Sequence, residues 1–466
     1  MKKFDYDVAI IGGGSGGYAA ARTVAGAGKR TVVLEGGAEI GGLCILRGCM
    51  PTKALLYAAE VKHLAERAGT WGIHAKNVSF NFAEVMARKR AIIKEFADYR
   101  AQQLTSGPFK FIRAQARFTD EHTLALSNGK SLTAKNFIIN TGSVVAKSPF
   151  PFLDEIGYLN SDDSLSLKRL PKSVIVLGGG LVAAEASQFL NRLDVKVTII
   201  QRSPHLVPSS DEDASLEIEK VFRQEGITVY TDTKLTGAAK KNGLKQITFR
   251  HAGKEVSVKA EEVLFALGRS PNTESLGLDK IGVATEGHRI ISNHEMRTSV
   301  PHIYAAGDCT GPHEIVHLAV IQGEIAGHNI IHPRKPRRMD YRLLISVVFT
   351  DPQIATVGLT EKQARARKIR YHTASYPFAD HGKSIIMEAK AGFVKLLSCP
   401  HTGEILGGCC VGPLGGELIH EIAAAMYKRM TVQELAAMPH YHPTLAEIWT
   451  YPAEELAGRP LTNPGM

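Results

Sequence analysis

The sequence predicts an α/β chain built around two Rossmann-like dinucleotide-binding domains. Three observations carry this. A strand–glycine turn–helix–strand pattern occurs twice, beginning near residues 6 and 173. The chain has 466 residues, enough for about three domains of ordinary size. Its 44 glycines, about 9% of the chain, exceed the usual share of roughly 7%.

The first pattern opens with Tyr6-Asp7-Val8-Ala9-Ile10-Ile11, a short β-rich apolar run. Gly12-Gly13-Gly14-Ser15-Gly16-Gly17 follows, then a small-residue helix from Ala19, then Thr31 to Leu34 as a second strand ending on Glu35. Each residue type has a reason here. Gly12 permits the tight turn, Gly14 lets backbone approach a pyrophosphate, and Gly17 lets helix and strand pack closely. Glu35, 18 residues after Gly17, is placed to accept from a ribose 2′-hydroxyl.

The second pattern runs from the strand at Ser173 to Leu177 through Gly178, Gly179 and Gly180 into a helix reaching about Arg192. The next strand, Val195 to Ile200, ends on Gln201-Arg202 with no acid. A 2′-phosphate repels a carboxylate and attracts an arginine, so this site leans towards NADPH, with NADH less favoured. The alternative is that Arg202 is only a solvated surface charge. Two dinucleotides, read as FAD and a nicotinamide, imply hydride transfer and a third group that receives the electrons.

That group is expected at Gly41-Gly42-Leu43-Cys44-Ile45-Leu46-Arg47-Gly48-Cys49-Met50-Pro51-Thr52-Lys53, with Cys44 and Cys49 five apart. Pro51 suits a first helical turn, and 53–65 reads as an amphipathic helix. Cys49 at that helix start would sit where the dipole favours a thiolate. The alternatives are two buried structural thiols or half a metal site. No second cysteine pair with ligand spacing accompanies them, so no metal is assigned. Arg47 is either a modifier of the thiols, a contact for an anionic substrate, or a surface charge.

Composition narrows the class further. Hydrophobic residues at 44% and charged residues at 22% exclude disorder, collagen and a disulfide miniprotein. The net charge of +10 suits anionic ligands, but no arginine-rich block stands out, so nucleic acid is not expected as a partner. Six cysteines are too few for an extracellular framework, so a reducing, cytoplasmic setting is expected. Met1-Lys2-Lys3 resembles a signal n-region, but Asp5 and Asp7 follow and the apolar run is too short. No run of 18 apolar residues is present, so no membrane association is expected.

The segment 41–53 resembles the GGxCxxxGCxPxK signature of the class I pyridine nucleotide–disulfide oxidoreductases, which include dihydrolipoamide dehydrogenase, glutathione reductase and mercuric reductase. Further segments resemble family motifs in the family's order. Ile139-Asn140-Thr141-Gly142-Ser143 is similar to ATGS, Ala266-Leu267-Gly268-Arg269 to ATGR, and Ala305-Ala306-Gly307-Asp308 to AxGD. His442-Pro443-Thr444-Leu445-Ala446-Glu447 is similar to the closing HPTxxE.

The resemblance implies a split FAD domain over 1–145 and 265–338, an NAD(P) domain over 146–264, and an α+β dimerisation domain over 339–466. It implies that Cys49 faces the flavin, Cys44 is the interchange thiol, His442 is the acid–base and Glu447 orients it. Lys53 and Glu185 resemble the ion pair beside flavin N5. Thr141, Gly142, Asp308 and Gly268 fall in cofactor-binding segments, and a helix starting near Ile315 to His317 would point at the flavin. The family builds its site across a homodimer, with His442 serving the partner subunit. The implied function is electron transfer from NAD(P)H through FAD and Cys44–Cys49 to a small-molecule or protein disulfide. The alternatives are dihydrolipoamide oxidation in the reverse direction, or a slow-turnover flavoprotein redox sensor.

Departures from the family pattern leave the substrate open. Leu43, Ile45-Leu46-Arg47, Asn140 and Leu267 differ from the usual residues. Glu324 stands where a glutathione-binding arginine is expected, although Arg22 matches another. Gln201 stands where dihydrolipoamide dehydrogenases usually carry an acid. The tail Arg459–Met466 lacks the second dithiol of mercuric and large thioredoxin reductases. Cys409-Cys410 reads as a pair of buried structural thiols in a strand, and His440 as a loop residue.

Overall fold

The computed structural model describes residues 3–462. Met1-Lys2 and the last four residues of the cysteine-free tail lie outside that range. The chain forms two compact units, one holding residues up to Leu55 with Asn81–Lys147 and Gly268–Asp340, the other the remainder.

The first unit follows the first fingerprint. It contains β1 (Tyr6–Ile11), α1 (Ser15–Gly26), β2 (Thr31–Glu35), α2 (Gly42–Arg47) and the start of α3 (Cys49–Glu66). Then come α4 (Phe82–Thr105), β3 (Lys110–Arg113), β4 (Ala116–Asp120), β5 (Thr123–Leu126) and β6 (Ser131–Ile139). The sheet order is β3-β2-β1-β6-β5-β4, with strand Ile303–Ala305 also pairing β6. The strands β3, β2, β1, β6 and Ile303–Ala305 are parallel, and β5 and β4 add an antiparallel extension. In the centre Ile10 sits between Val33 and Ile138. Both faces of β1 are covered, which explains its unbroken apolar run.

Helix α1 lies against helix Val316–Ile331. The approach is at backbone distance, because a Cβ on Gly323 would fall 2.2 Å from the Gly16 carbonyl oxygen. The apolar side of the sheet closes over Phe118, Phe137, Leu34 and Ile139.

The second unit repeats the logic. Strands Thr228–Tyr230, Lys196–Ile200, Ser173–Leu177 and Glu262–Phe265 form a parallel sheet in that order. An antiparallel three-stranded sheet spans Lys234–Lys241, Leu244–His251 and Lys254–Ala260. The C-terminal part is a five-stranded antiparallel sheet, ordered Ile345–Val348, Gln353–Gly358, Ile405–Gly412, Phe393–Ser398, His372–Pro377. Helix Gly415–Tyr427 covers it, and Trp449, Phe378 and Met426 fill its core.

Charged clasps tie the parallel and C-terminal sheets of this unit together. Lys395, 3% exposed at its side chain, meets Asp211 at 3.0 Å, Asp213 at 2.7 Å and Glu361 at 2.9 Å. Arg192 bridges Glu225 at 2.5 Å and Asp351 at 2.7 Å. Among the described residues no helix is long and apolar enough to cross a membrane.

Candidate active site

Both glycine turns have the same construction. The Gly12 N–H donates to Leu34 O at 2.8 Å, and the Gly178 N–H donates to Ile200 O at 2.9 Å. Both glycines have positive φ, +109° and +108°. A Cβ on Gly12 would lie 2.2 Å from Asn140 O, and one on Gly178 would lie 2.4 Å from Ala266 O. Only glycine fits either turn. Gly14 and Gly180 each stand at the start of the following helix, Ser15–Gly26 and Leu181–Arg192. The N–H groups there are the expected anchor for phosphate. Gly17 permits the helix–strand approach, since its Cβ would meet Gly12 O at 1.9 Å.

Glu35 accepts from the Gly13 N–H at 2.9 Å and the Gly37 N–H at 2.7 Å. It lines an open cleft of about 390 Å³ with Gly36, Gly37, Arg113, Gln115 and Ser127. The carboxylate is therefore held rigidly at the strand end where a ribose is expected.

Asn140, a departure from the family pattern, has a structural reason. It is buried, and its Nδ2 donates to Ala306 O at 2.7 Å, joining β6 to the segment that carries Asp308. Asp308 Oδ2 accepts from the Ser143 hydroxyl at 2.7 Å, and Arg269 Nε donates to the same hydroxyl oxygen at 2.8 Å. Gly142 O accepts from the Asn272 N–H at 3.0 Å, and Gly268 O accepts from the Ala146 N–H at 3.2 Å. The Thr141 hydroxyl oxygen is buried without a hydrogen-bond partner. An orphaned buried polar group is uncommon and marks where a ligand completes the site. The Rossmann turn, the fixed Glu35, Thr141, Asp308 and the start of helix Val316–Ile331 are the donor and acceptor set that FAD needs, and they fit it.

The two cysteines sit on consecutive helices. Cys44 lies within α2, a helix of six residues, and Cys49 is the first residue of α3. Helix α3 thus begins earlier than the expected 53–65, with the Thr52 hydroxyl donating to Gly48 O at 2.7 Å. The loop is set on the first glycine turn. A Cβ on Gly42, whose φ is +74°, would fall 2.8 Å from the Gly14 Cα. Both are half-buried thiols, and they hydrogen-bond to each other. That bond, burial and the second sulfur push the Cys44 thiol up, while Lys53 opposes the shift. Arg47 is exposed and pairs with Glu39, so the surface-charge reading fits it.

In the second unit His442 and Glu447 form the expected pair. His442 Nδ1 lies 3.0 and 3.1 Å from the Glu447 carboxylate oxygens. The imidazole is 78% exposed, whereas the carboxylate is only 10% exposed. Glu447 sits in the short helical turn Ala446–Trp449, which fixes its backbone. His440 is a loop residue whose Nε2 lies 2.6 Å from Glu421.

Sequence reasoning missed one member of this group. His381 is completely buried, with Nε2 3.3 Å from Glu447 Oε1 and Nδ1 2.8 Å from the Ser384 hydroxyl. Burial pushes its pKa down, against the opposing pull of Glu447. His381 Nε2 thus stands beside the Glu447 carboxylate without completing a hydrogen bond to it. No motif surrounds His381, and only its position three residues before Ser384 hints at the contact.

The remaining assignments are placed as follows. Glu185 is buried in helix Leu181–Arg192 and accepts from the Phe349 N–H at 2.9 Å. Arg202 is exposed and enters no ion pair among the described residues. Beside it, the Gln201 side chain lies under the second turn, 2.9 Å from where a Gly179 Cβ would be. Cys409 and Cys410 lie in strand Ile405–Gly412, and burial pushes the Cys409 thiol up to about 12. Buried Cys309 is likewise raised to about 12. His63, Glu225 and Asp351 bring ligand atoms within 4.8 Å of one another, but Arg192 already pairs with both carboxylates.

Comparison with known proteins agrees with this geometry. Residues 6–323 match the family described as pyridine nucleotide-disulphide oxidoreductase, and residues 344–453 match that family's dimerisation domain. A dihydrolipoyl dehydrogenase from Geobacillus stearothermophilus is 33% identical over 457 residues, covering 97% of this chain and 96% of that protein. The crystal structure of LpdA from Mycobacterium tuberculosis superposes with a TM-score of 0.87 at 27% identity, covering 96% of this chain and 99% of that one. The HOCl-induced flavoprotein disulfide reductase RclA from Escherichia coli shares the fold, with a TM-score of 0.85 at 24% identity over 96% and 99% of the two chains.

Proposed function

This chain belongs to the pyridine nucleotide–disulphide oxidoreductases, FAD-dependent enzymes that couple NAD(P)H to a disulfide, and from that premise we propose a role for each of its functional residues. We assign FAD to 1–145 with 265–338, the nicotinamide to 146–264, and dimerisation to 339–466. Gly12, Gly14, Gly17, Glu35, Thr141, Gly142, Asp308 and Gly268 hold FAD. Gly178, Gly180 and Arg202 hold the nicotinamide nucleotide, and the exposed Arg202 without an acid beside it supports NADPH over NADH.

Held by these residues, FAD would supply the two-electron link between the nicotinamide and the Cys44–Cys49 disulfide. Cys49 is the flavin-side thiol and Cys44 the interchange thiol. Lys53 and Glu185 serve as the charged pair at the flavin. Cys44, with its thiol pushed up, needs a base to become a nucleophile. His442 takes that proton, and Glu447 fixes its tautomer through Nδ1.

The Cys44 thiolate then attacks one sulfur of the substrate disulfide, that bond breaks, and a mixed disulfide forms. The departing thiolate is protonated by His442. Cys49 attacks the Cys44 sulfur, the second substrate thiol leaves with a proton, and the Cys44–Cys49 disulfide is restored. One disulfide, one NAD(P)H and one proton give two thiols and one NAD(P)+.

His442 serves the cysteines of the partner subunit in a homodimer. The dimerisation domain supports this, as do the exposed aromatic residues Tyr441 and Tyr427, 83% and 68% exposed. The sparse cysteines, six in 466 residues, suit a reducing cytoplasmic setting.

The observation that carries this reading is the Cys44–Cys49 pair in mutual contact, seated on the Gly14 turn. Anaerobic titration with NADPH and NADH tests it. The expected result is flavin reduction with a long-wavelength charge-transfer band that is lost in Cys49→Ser. Failure of both nucleotides to reduce the flavin within seconds would overturn the reading. The dihydrolipoyl dehydrogenase names of the relatives favour a second reading, dithiol oxidation with NAD+. Faster turnover with dihydrolipoamide and NAD+ than in the reducing direction would select it.

A further inference from the structure

Arg100 is a cation whose hydrogen-bonding capacity the protein does not use. It lies on α4, and its guanidinium stacks over the Tyr18 ring at 4.6 Å from the centroid. Its Nε and Nη1 atoms are shielded from water with no hydrogen-bond partner. Stacking satisfies the face of a guanidinium, not the N–H groups in its plane. Those donors need acceptors, and a buried donor without one is costly.

The surroundings define what the acceptor is. Arg22 approaches the same ring at 6.0 Å, but its charge is met by Glu324 at 3.2 Å. Arg100 enters no ion pair among the described residues, and the residue as a whole is half-buried, so part of it reaches solvent. Helix α4 packs against α2, which carries Cys44, so the Cys44 sulfur lies within electrostatic range of Arg100. One turn along α4, the Gln103 side-chain oxygen is also buried without a partner. An unmet cation and an unmet acceptor therefore stand on one helix, close to the thiol that receives the substrate.

We propose that Arg100 binds a carboxylate of the substrate, so that the enzyme selects low-molecular-weight disulfides carrying a carboxylate a few bonds from the sulfur. This rests on Cys44 being the interchange thiol. A carboxylate is the chemistry that best fits a planar guanidinium, and Gln103 is available to accept from an N–H of the same ligand. A neutral disulfide offers the guanidinium no opposite charge.

A matched pair of probes, dithiodipropionate and its diamide, tests the proposal with the holoenzyme and NADPH. The diamide keeps the size and shape of the diacid but lacks its charge. The expected result is a kcat/KM for the diacid about tenfold or more above that for the diamide, carried by KM and shrinking with added salt. In Arg100→Gln the ratio falls to near one, and Arg100→Lys keeps part of it. Equal use of diacid and diamide by the wild type, or an unchanged ratio in Arg100→Gln, overturns the proposal. Disulfide turnover that survives Cys44→Ser would instead remove the interchange-thiol reading, and the Arg100 proposal with it.

Discussion

His381, wholly buried, holds its Nε2 3.3 Å from Oε1 of Glu447, on the carboxylate that His442 approaches through Nδ1. The carboxylate thus lies between one buried imidazole and one exposed imidazole. In the proposed mechanism Glu447 orients the ring that moves protons, and His381, packed against that carboxylate, is expected to act as a positioning residue. Replacing it with Ala should lower kcat by roughly tenfold to a hundredfold with little change in nicotinamide KM. His381→Asn keeps an N–H in reach and should recover much of the loss. Equal defects in Ala and Asn variants would reduce His381 to packing.

The same histidine predicts a pH effect on stability. Its folded pKa is depressed, chiefly by burial. Below about pH 6.5 the unfolded chain therefore binds a proton that the folded chain resists. The stability this supplies is present above that pH and is lost as pH falls towards the folded value. Melting temperatures measured from pH 8 down to about 5 should decline less steeply in His381→Asn than in the wild type.

Lys395 pairs with three carboxylates while almost wholly buried. Lys395→Met leaves Asp211, Asp213 and Glu361 to repel one another and should cost about 3–5 kcal/mol in chemical denaturation. Adding Asp211→Asn should recover part of that. Asp211 and Glu361 both have lowered pKa values despite burial. Their contribution is present above the ordinary carboxylate range and fades as pH falls below it.

The two glycine turns should fail separately. Gly12→Ala drives a methyl to within 2.2 Å of Asn140 O, so the purified protein should lack flavin absorbance. Gly178→Ala makes the equivalent clash with Ala266 O at 2.4 Å, and should retain flavin while raising nicotinamide KM. Flavin loss in both variants would mean that the turns do not serve separate nucleotides.

Gln201→Glu combined with Arg202→Met should shift preference towards NADH, by about tenfold in the ratio of kcat/KM values. Steady-state kinetics with both nucleotides measure it. An unchanged preference would assign Arg202 to solvent.

Strands β1 and β2 and both glycine turns were legible because each depends on local sequence, a periodicity or a turn, and the His442–Glu447 pair was legible through the resemblance of its segment to HPTxxE. Helix α2 was not. Its six residues have glycines on both sides, and its form depends on Gly42 resting on Gly14, a contact across the chain. His381 was hidden for the same reason, since its partner Glu447 lies 66 residues away. Asn140 looked like a deviation until its bond to Ala306 explained it. Arg47 kept three readings in sequence because Glu39, which meets it, carries no motif.

The seat of Gly42 on Gly14 works as a datum for length. Cys44 is two residues beyond Gly42 inside α2, so one residue inserted between them would swing the thiol about 100° around the helix axis. Cys49, at the head of α3, would not turn with it. The dithiol tolerates changes of side chain around it far better than a change in count: in this enzyme the interval from Gly42 to Cys49 is a fixed gauge.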